Sequence, residues 1–334
     1  MKQVSFKWFG LIACALCLTV LPMAGMAVEI SFKLGHVAPP NTIYDVSANK
    51  FAERVATNTG GRVEVKVFGH SQFGTLPEHW AQVKKGAIDI FVSEPLVAFI
   101  IEPPPKNFFV LVAPYLFETQ EHLHKFLRSD LFKSMMAKVE KAGNVKYLGF
   151  LGDRPPRQLT TKNTKVMTPN DLKGLKLRSP ALPPFVEVWK EWGATPTPLP
   201  AKDIYTGLKS GLVVGQENTI LAARDAGYYE VQKYIVCIDY IRSNLCAWMN
   251  QQRWDSLPND IKGTIEKSAV ETKNYVNEYA ADQVRKAEKF LQEKGMIILR
   301  PDLEPFKALA VKANLRNDGK LWEKGLYDKI KSLK

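Results

Sequence analysis

The chain has 334 residues, of which 46% are hydrophobic, 24% charged and 10% aromatic. These are ordinary values for packed globular domains, and the length exceeds one typical core and suggests two domains. They exclude a disordered, collagen-like or repeat-fibre protein. A mean hydropathy of -0.17, with no apolar run of about 20 residues after residue 30, excludes a polytopic membrane protein.

Residues 1–27 read as an export signal. Lys2 and Lys7 form a positive start, Trp8 to Leu21 is nearly continuously apolar, Pro22 breaks the run, and Gly25-Met26-Ala27 presents small residues for cleavage after Ala27. Leu11-Ile12-Ala13-Cys14 fits a loose lipobox, but apolar sequence continues past Cys14. Cleavage leaves a periplasmic chain and lowers the net charge from +12 to +10. Excess positive charge attracts anions. Lys and Arg are scattered along helical faces rather than interleaved with aromatics, so small anions or a solvated basic surface fit better than nucleic acid. Cys237 and Cys246 remain, either as a disulfide in an oxidising compartment or as two small hydrophobes.

Residues 29–34 alternate like a strand. Tyr44, Ala48, Phe51, Ala52 and Val55 recur at helical spacing, and Gly60-Gly61 ends that helix. Val63, Val65 and Val67 predict a half-buried strand, Pro77 to Lys85 a short helix stopped by Gly86, and Ala87 to Val92 a buried strand. This rhythm predicts a mostly parallel sheet covered by helices. A polar helix, Gln120 to Arg128, should carry His122 and His124 in solvent.

Val145 to Leu151 reads as a strand. Thr168-Pro169-Asn170-Asp171 opens a short helix with a capping Thr and an acid three residues on. Leu175 to Arg178 is a short strand, Pro183 to Trp192 a helix closed by Gly193, and Asp203 to Ser210 another helix. From Pro258 to Lys294 there is no proline after the first residue. Ile261, Ile265, Ala269, Val276, Tyr279, Val284, Ala287 and Leu291 mark one face. At about 1.5 Å per residue such a helix reaches roughly 55 Å, so it spans two lobes or breaks. Two α/β lobes tied by one long helix describe a hinged clamp around a cleft.

Chemistry is sparse. There is no Gly-x-Ser-x-Gly, no Ser-x-x-Lys, no phosphate-cradling glycine loop, and no His-x-x-x-His or Cys-x-x-Cys. The sequence therefore offers no catalytic residue, no metal ligand set and no cofactor. Arginine placement says more. Arg178 ends a strand before Ser179-Pro180, and its planar fork can hold a carboxylate through two parallel hydrogen bonds. Arg157 begins another strand-like run, with Arg154 just upstream.

Three ordered stretches carry a resemblance: Gly-Leu-Lys-Leu-Arg-Ser-Pro (174–180), Gly-Ala-Thr-Pro-Thr-Pro (193–198) and Ile-Tyr-Thr-Gly-Leu-Lys-Ser-Gly-Leu-Val-Val-Gly-Gln-Glu-Asn (204–218). Gly60-Gly61-Arg62-Val63, Ser71-Gln72-Phe73-Gly74, Gly86-Ala87-Ile88-Asp89, Tyr229 to Tyr234 and Trp254 to Pro258 extend it over essentially the whole mature chain. The sequence resembles the DctP-type solute-binding proteins of tripartite ATP-independent periplasmic (TRAP) transporters. That resemblance implies a two-lobed periplasmic binding protein fold, mixed sheets flanked by helices and a long helix spanning both lobes. The expected boundaries are residues 28–153 with about 243–283 for the first lobe, and 154–242 with about 284–334 for the second, the ligand cleft lying between them.

The resemblance further implies that Arg178 binds the ligand carboxylate, with Arg157 as a second arginine and Asn218 as a contact. Glu94 matches a cleft position that meets the polar body of the ligand, and His36 a position at the mouth. Gln216 and Glu217 read as braces for their loop. Phe73 and Tyr240 are expected pocket aromatics, whereas Phe185, Trp189 and Trp192 read as core. Val214 stands where the family usually has Asp, and Ala201 stands where sialate-binding members carry an aromatic wall, which argues against sialate. The implied partners are a small carboxylate and the membrane subunits of a TRAP transporter, for a chain acting as a monomer. The rival is an exported enzyme acting on an organic acid or sugar acid.

Overall fold

The computed structural model describes residues 28–95, 100 and 105–333. The expected export segment, with Cys14 and Cys17, lies outside them. In chain order the elements are β1 (Ile30–Gly35), α1 (Ile43–Asn58), β2 (Val63–Phe68), α2 (Leu76–Lys85), β3 (Ile90–Ser93), α3 (Gln120–Arg128), α4 (Asp130–Gly143), β4 (Val145–Arg154), β5 (Arg157–Thr161), β6 (Lys176–Ser179) and α5 (Pro183–Glu191). They continue with β7 (Thr195–Pro198), α6 (Ile204–Ser210), β8 (Gly215–Thr219), α7 (Ile220–Asp225), β9 (Tyr234–Val236), β10 (Ser243–Asn250), α8 (Gln251–Asp255), α9 (Asn259–Glu293), β11 (Ile297–Leu299), α10 (Glu304–Asn317) and α11 (Leu326–Lys331).

Two sheets organise the chain, one in each lobe. The first has the order β2-β1-β3-β10-β4 and the second β11-β9-β5-β8-β6-β7. Alternation places Phe32 and Leu34 of β1 and Val63 and Val65 of β2 in one core, against Phe51 and Val55 of α1. The predicted parallel rhythm holds for β1 with β2 and β3. The sheet becomes mixed because β10, arriving from the other lobe, inserts antiparallel between β3 and β4. Its run Leu245-Cys246-Ala247-Trp248-Met249 is fully buried, as a central strand covered on both faces requires.

The local punctuation does what its chemistry predicts. The Thr75 and Glu78 side chains close a capping box at the start of α2, and Gly86 ends it at φ +75°. Thr168 and Asp171 form the second box, around one short 3₁₀ turn, Pro169–Leu172.

The chain crosses between the lobes repeatedly. One crossing is Arg154-Pro155-Pro156-Arg157, where two prolines lack the N–H groups needed to extend either ladder. Another runs from β9 to β10, tied to the first by the Arg157 N–H donating to Ile241 O at 3.0 Å. The third is α9, unbroken over 35 residues. Ile261, Ile265 and Ala269 pack into the first-lobe core, while Val276, Ala280, Ala287 and Leu291 pack with Ile204 and Ile235 on the other side. A fourth follows α10. Phe306 and Ala310 lie with Trp189 and Trp192 of the second lobe, but Trp322, Leu326, Tyr327 and Ile330 return to the first, beside Trp80 and Phe108.

One reading needs correction, and one left open is decided. His122 is buried, its Nε2 2.9 Å from Ile330 O, because the returning C-terminal segment covers α3. His124 is half-buried and sits 2.9 Å from both oxygens of Asp153. The cysteines are free: Cys246 is buried within β10 of the first sheet, and Cys237 follows β9 of the second.

Candidate ligand-binding site

The register of the second sheet assembles the site. β5 pairs antiparallel with β8, setting Arg157 opposite Thr219, Gln158 opposite Asn218 and Leu159 opposite Glu217. β6 runs parallel to the other side of β8, with Arg178 opposite Gln216. Glu217 therefore lies between two arginines from neighbouring strands. From the first lobe, Arg154 reaches in from the end of β4, Glu94 from the residue after β3, and Tyr44 from the first turn of α1.

Arg157 grips Glu217 with two prongs: Nε donates to Oε2, and Nη2 donates to Oε1 at 2.9 Å. The Tyr240 hydroxyl donates to the same carboxylate at 2.5 Å. Arg178 is held differently. Its Nε donates to Leu199 O at 2.9 Å, and its Nη1 stands 3.6 Å from Glu217 Oε1. Arg154 Nη1 donates to Glu94 Oε1, which also accepts from the Tyr44 hydroxyl at 2.9 Å. Arg154 Nη2 crosses between the lobes to Asn218 Oδ1 at 3.2 Å. Glu217 is completely buried, and none of the three arginines is more than 6% exposed.

Burial disfavours the charges of Glu94, Arg154, Arg157 and Arg178, and their partners work against it. Burial alone would raise the Glu94 carboxyl, but Arg154 and Arg157 override it and hold the group down at about 2. Burial would lower Arg157, and Glu217 more than offsets that. For Arg178 burial wins: the more distant Glu217 compensates only in part, leaving the guanidinium below its ordinary value. Tyr240 stays a protonated donor, its hydroxyl pushed well up by burial and then by Glu217.

Of the expected ligand residues, the fold gathers Glu94, Arg157, Arg178 and Asn218. Tyr240 joins them from behind: it is fully buried, edge-on to Phe185, Trp189 and Trp192, and reaches the site only through its hydroxyl. His36 and Phe73 are positioned by other neighbours. His36 is fully buried, with Nε2 3.3 Å from Asp45 Oδ1, and Phe73 packs on Phe68 and His79. Burial lowers His36 despite Asp45, and burial lowers His79 as well. Among the described residues, no group of three or more His, Cys, Asp or Glu side chains is placed to hold a metal ion.

Arg154 and Tyr44 belong to the cluster and were given no place in the site from the sequence. A signal for Arg154 existed, since Arg154 and Arg157 flank a diproline between two strands. Tyr44 had none, because a tyrosine on the apolar face of a helix reads as core.

The profile of the family described as bacterial extracellular solute-binding protein, family 7 (DctP), matches residues 34–316. The chain belongs to that family. A solute-binding protein of Roseobacter denitrificans is 28% identical over 92% of this chain and 93% of its own length. The 2,3-diketo-L-gulonate-binding periplasmic protein YiaO of Escherichia coli is 29% identical over 80% of each chain. The C4-dicarboxylate-binding periplasmic protein DctP of Rhodobacter capsulatus is 28% identical over 86% of this chain and 84% of its own. A crystal structure of a TRAP periplasmic solute-binding protein from Roseobacter denitrificans with bound L-galactonate superposes with a TM-score of 0.79, at 27% identity over 91% of this chain and 98% of that one. One from Polaromonas sp. JS666 shares the fold at a TM-score of 0.83, with 22% identity over 92% and 99%.

Proposed function

We propose that this family member captures an organic acid between its lobes and delivers it to the membrane subunits of a TRAP transporter. The supporting observation is Arg178, a nearly buried guanidinium with one backbone hydrogen bond and an ion pair no closer than 3.6 Å. A buried cation so incompletely compensated favours an incoming carboxylate, which its planar fork can meet with two hydrogen bonds. Arg157 is held by Glu217 and Tyr240 and supplies field and shape beside it. Asn218 Oδ1 is occupied by Arg154 and by the Thr219 N–H at 2.9 Å, so its amide nitrogen is the group offered to a ligand.

The lobes of this reading comprise residues 28–154, Arg154 being the last residue of β4 in the first sheet, with about 243–283, and 155–242 with about 284–317. The segment after residue 317 belongs with the first lobe, to which Trp322 and Ile330 are packed. Closure turns on the diproline crossing and the 237–242 crossing and bends α9. Residues 1–27 direct export to the periplasm and are cleaved after about Ala27; the mature chain works as a monomer. It binds rather than turns over its ligand, as its relatives named for binding support.

A thermal-shift screen of residues 28–334, refolded free of ligand, tests this against carboxylates and their matched amides. Ligand at 100 times its dissociation constant adds about 2.7 kcal/mol to the folded state. A shift with an acid and none with its amide is the expected result. Stabilisation by amides alone, or chemical turnover of the bound acid, rejects it.

A further inference from the structure

Among the described residues, the contacts of the site join three guanidiniums, Arg154, Arg157 and Arg178, to two carboxylates, Glu94 and Glu217. The arithmetic is local and leaves one positive charge. Arg154 and Glu94 are neighbours in the same lobe and cancel. Arg157 and Glu217 cancel, and Arg178 stands over. The adjoining charged side chains have partners of their own: Arg242 Nη2 lies 3.7 Å from Asp239, and Asp153 is within hydrogen-bond distance of the His124 ring. We infer that the physiological ligand carries a single carboxylate together with a hydroxyl donor, and that the Arg154–Glu94 pair selects against dicarboxylates. This rests on the carboxylate-capture reading above and narrows its substrate class.

The physical reason is desolvation. Inside a closed cleft each unpaired charge is costly, so the number of ligand carboxylates should match the residual protein charge. One carboxylate neutralises Arg178. A second would bring the enclosed site to a net negative charge. Arg154 has its Nε without a partner, but it could turn its two-pronged edge to a second carboxylate only by abandoning Glu94, which would then be a buried carboxylate beside the Tyr44 and Ser243 hydroxyls. Arg154 is also pinned on two further sides, with its guanidinium carbon 5.4 Å from the centre of the Tyr44 ring and Nη2 on Asn218. Glu94, by contrast, has capacity for a neutral donor. Its Oε2 is buried and forms no hydrogen bond of ordinary geometry, with the Ser243 hydroxyl beside it. An ionised carboxylate accepts from a hydroxyl and repels another carboxylate. The relatives do not choose between the classes, since one is named for a C4-dicarboxylate and another for a diketo sugar acid.

Calorimetric titration of residues 28–334 with acids matched in carbon skeleton tests this. L-galactonate against galactarate and D-erythronate against meso-tartrate each exchange a terminal hydroxymethyl for a carboxylate. We expect at least one monoacid to bind and its diacid to bind at least tenfold more weakly, the ratio set by about 1.4 kcal/mol or more of like-charge cost. Glu94→Gln raises the residual charge to two and should move that ratio toward the diacid. Arg154→Gln lowers it to zero and should weaken both acids. The double variant restores a residual charge of one and should recover the preference for the monoacid, which a purely steric role for these side chains would not produce. Retained thermal midpoints qualify each variant, and the double variant decides the matter if a single one fails to fold. Diacids binding as tightly as monoacids, with both lost in Arg178→Ala, would overturn the inference and leave carboxylate capture standing. A ratio unchanged across the variants would overturn it too. Binding of neither acid in either pair would count against both.

Discussion

Arg157 and Arg178 approach the same carboxylate of Glu217, and only Arg157 is satisfied by it. Arg157 Nη2 lies 2.9 Å from Oε1 with Nε on the other oxygen, whereas the nearest approach of Arg178 is 3.6 Å. Two residues of one type on neighbouring strands thus stand differently: Arg157 is held by Glu217, and Arg178 is left with a longer, partial contact. The asymmetry arises because β5 and β6 flank β8 with opposite directions, so their side chains approach Glu217 from different angles.

Arg178→Ala should fold normally and lose about 2–5 kcal/mol of affinity for the bound acid, as expected for truncating one side of a desolvated charge pair. Arg178→Lys should recover part of it, because an ammonium keeps the charge but not the fork. Titration calorimetry of the two variants reads the difference. Unchanged affinity in Arg178→Ala would remove the assigned role.

Arg157→Ala should act mainly on stability. It strands the fully buried Glu217 carboxylate with Tyr240 and a distant Arg178, a loss on the order of 3–5 kcal/mol. Tyr240→Phe keeps the ring among Trp189 and Trp192 and deletes one hydrogen bond to a charged group, about 1.5–3 kcal/mol. Urea denaturation curves should rank the two in that order.

The protein should weaken in acid in two stages. His36 and His79 are buried and held below their ordinary value of 6.5, so the unfolded chain binds more protons there. Stability from this source is full above pH 6.5 and is lost as the pH falls below it. Glu94 behaves as a depressed acid: its contribution is present above its ordinary 4.5 and disappears as the pH approaches about 2. Urea midpoints measured from pH 8 to pH 3 should show both slopes. His36→Gln should flatten the upper one, and Glu94→Gln the lower. A midpoint constant between pH 7 and pH 5 would contradict the first stage.

Gly152→Ala should be strongly destabilising for its size. Gly152 of β4 sits at φ +136°, and a Cβ there would lie 2.3 Å from Val276 Cγ1 on α9. Overpacking costs about 1–3 kcal/mol, and the backbone strain adds about the same again. Gly174→Ala, also at positive φ but with nothing near its Cβ, isolates the backbone part. Thermal unfolding of the two variants separates the contributions. If Gly152→Ala were no worse than Gly174→Ala, the close helix–strand contact would carry no energy.

Much of the architecture was legible in the sequence because it depends on near neighbours. Alternating valines marked β2, the capping box at Thr168 opened a 3₁₀ turn, and a proline-free stripe of apolar residues marked α9 as helical, while the resemblance implied that it runs unbroken across both lobes. The ordered motifs around Arg178 and Asn218 likewise led to the family. Tertiary structure decided what depends on distant partners. Glu94 and Arg154 are 60 residues apart, as are Arg157 and Glu217, and no local pattern states which acid a given arginine will meet. The insertion of β10 between β3 and β4, the return of Trp322 to the first lobe and the consequent burial of His122 are of the same kind. Periodicity reports which face of an element avoids water, whereas the charge left over in the site is set by a count over residues that only folding brings within a few ångströms of one another.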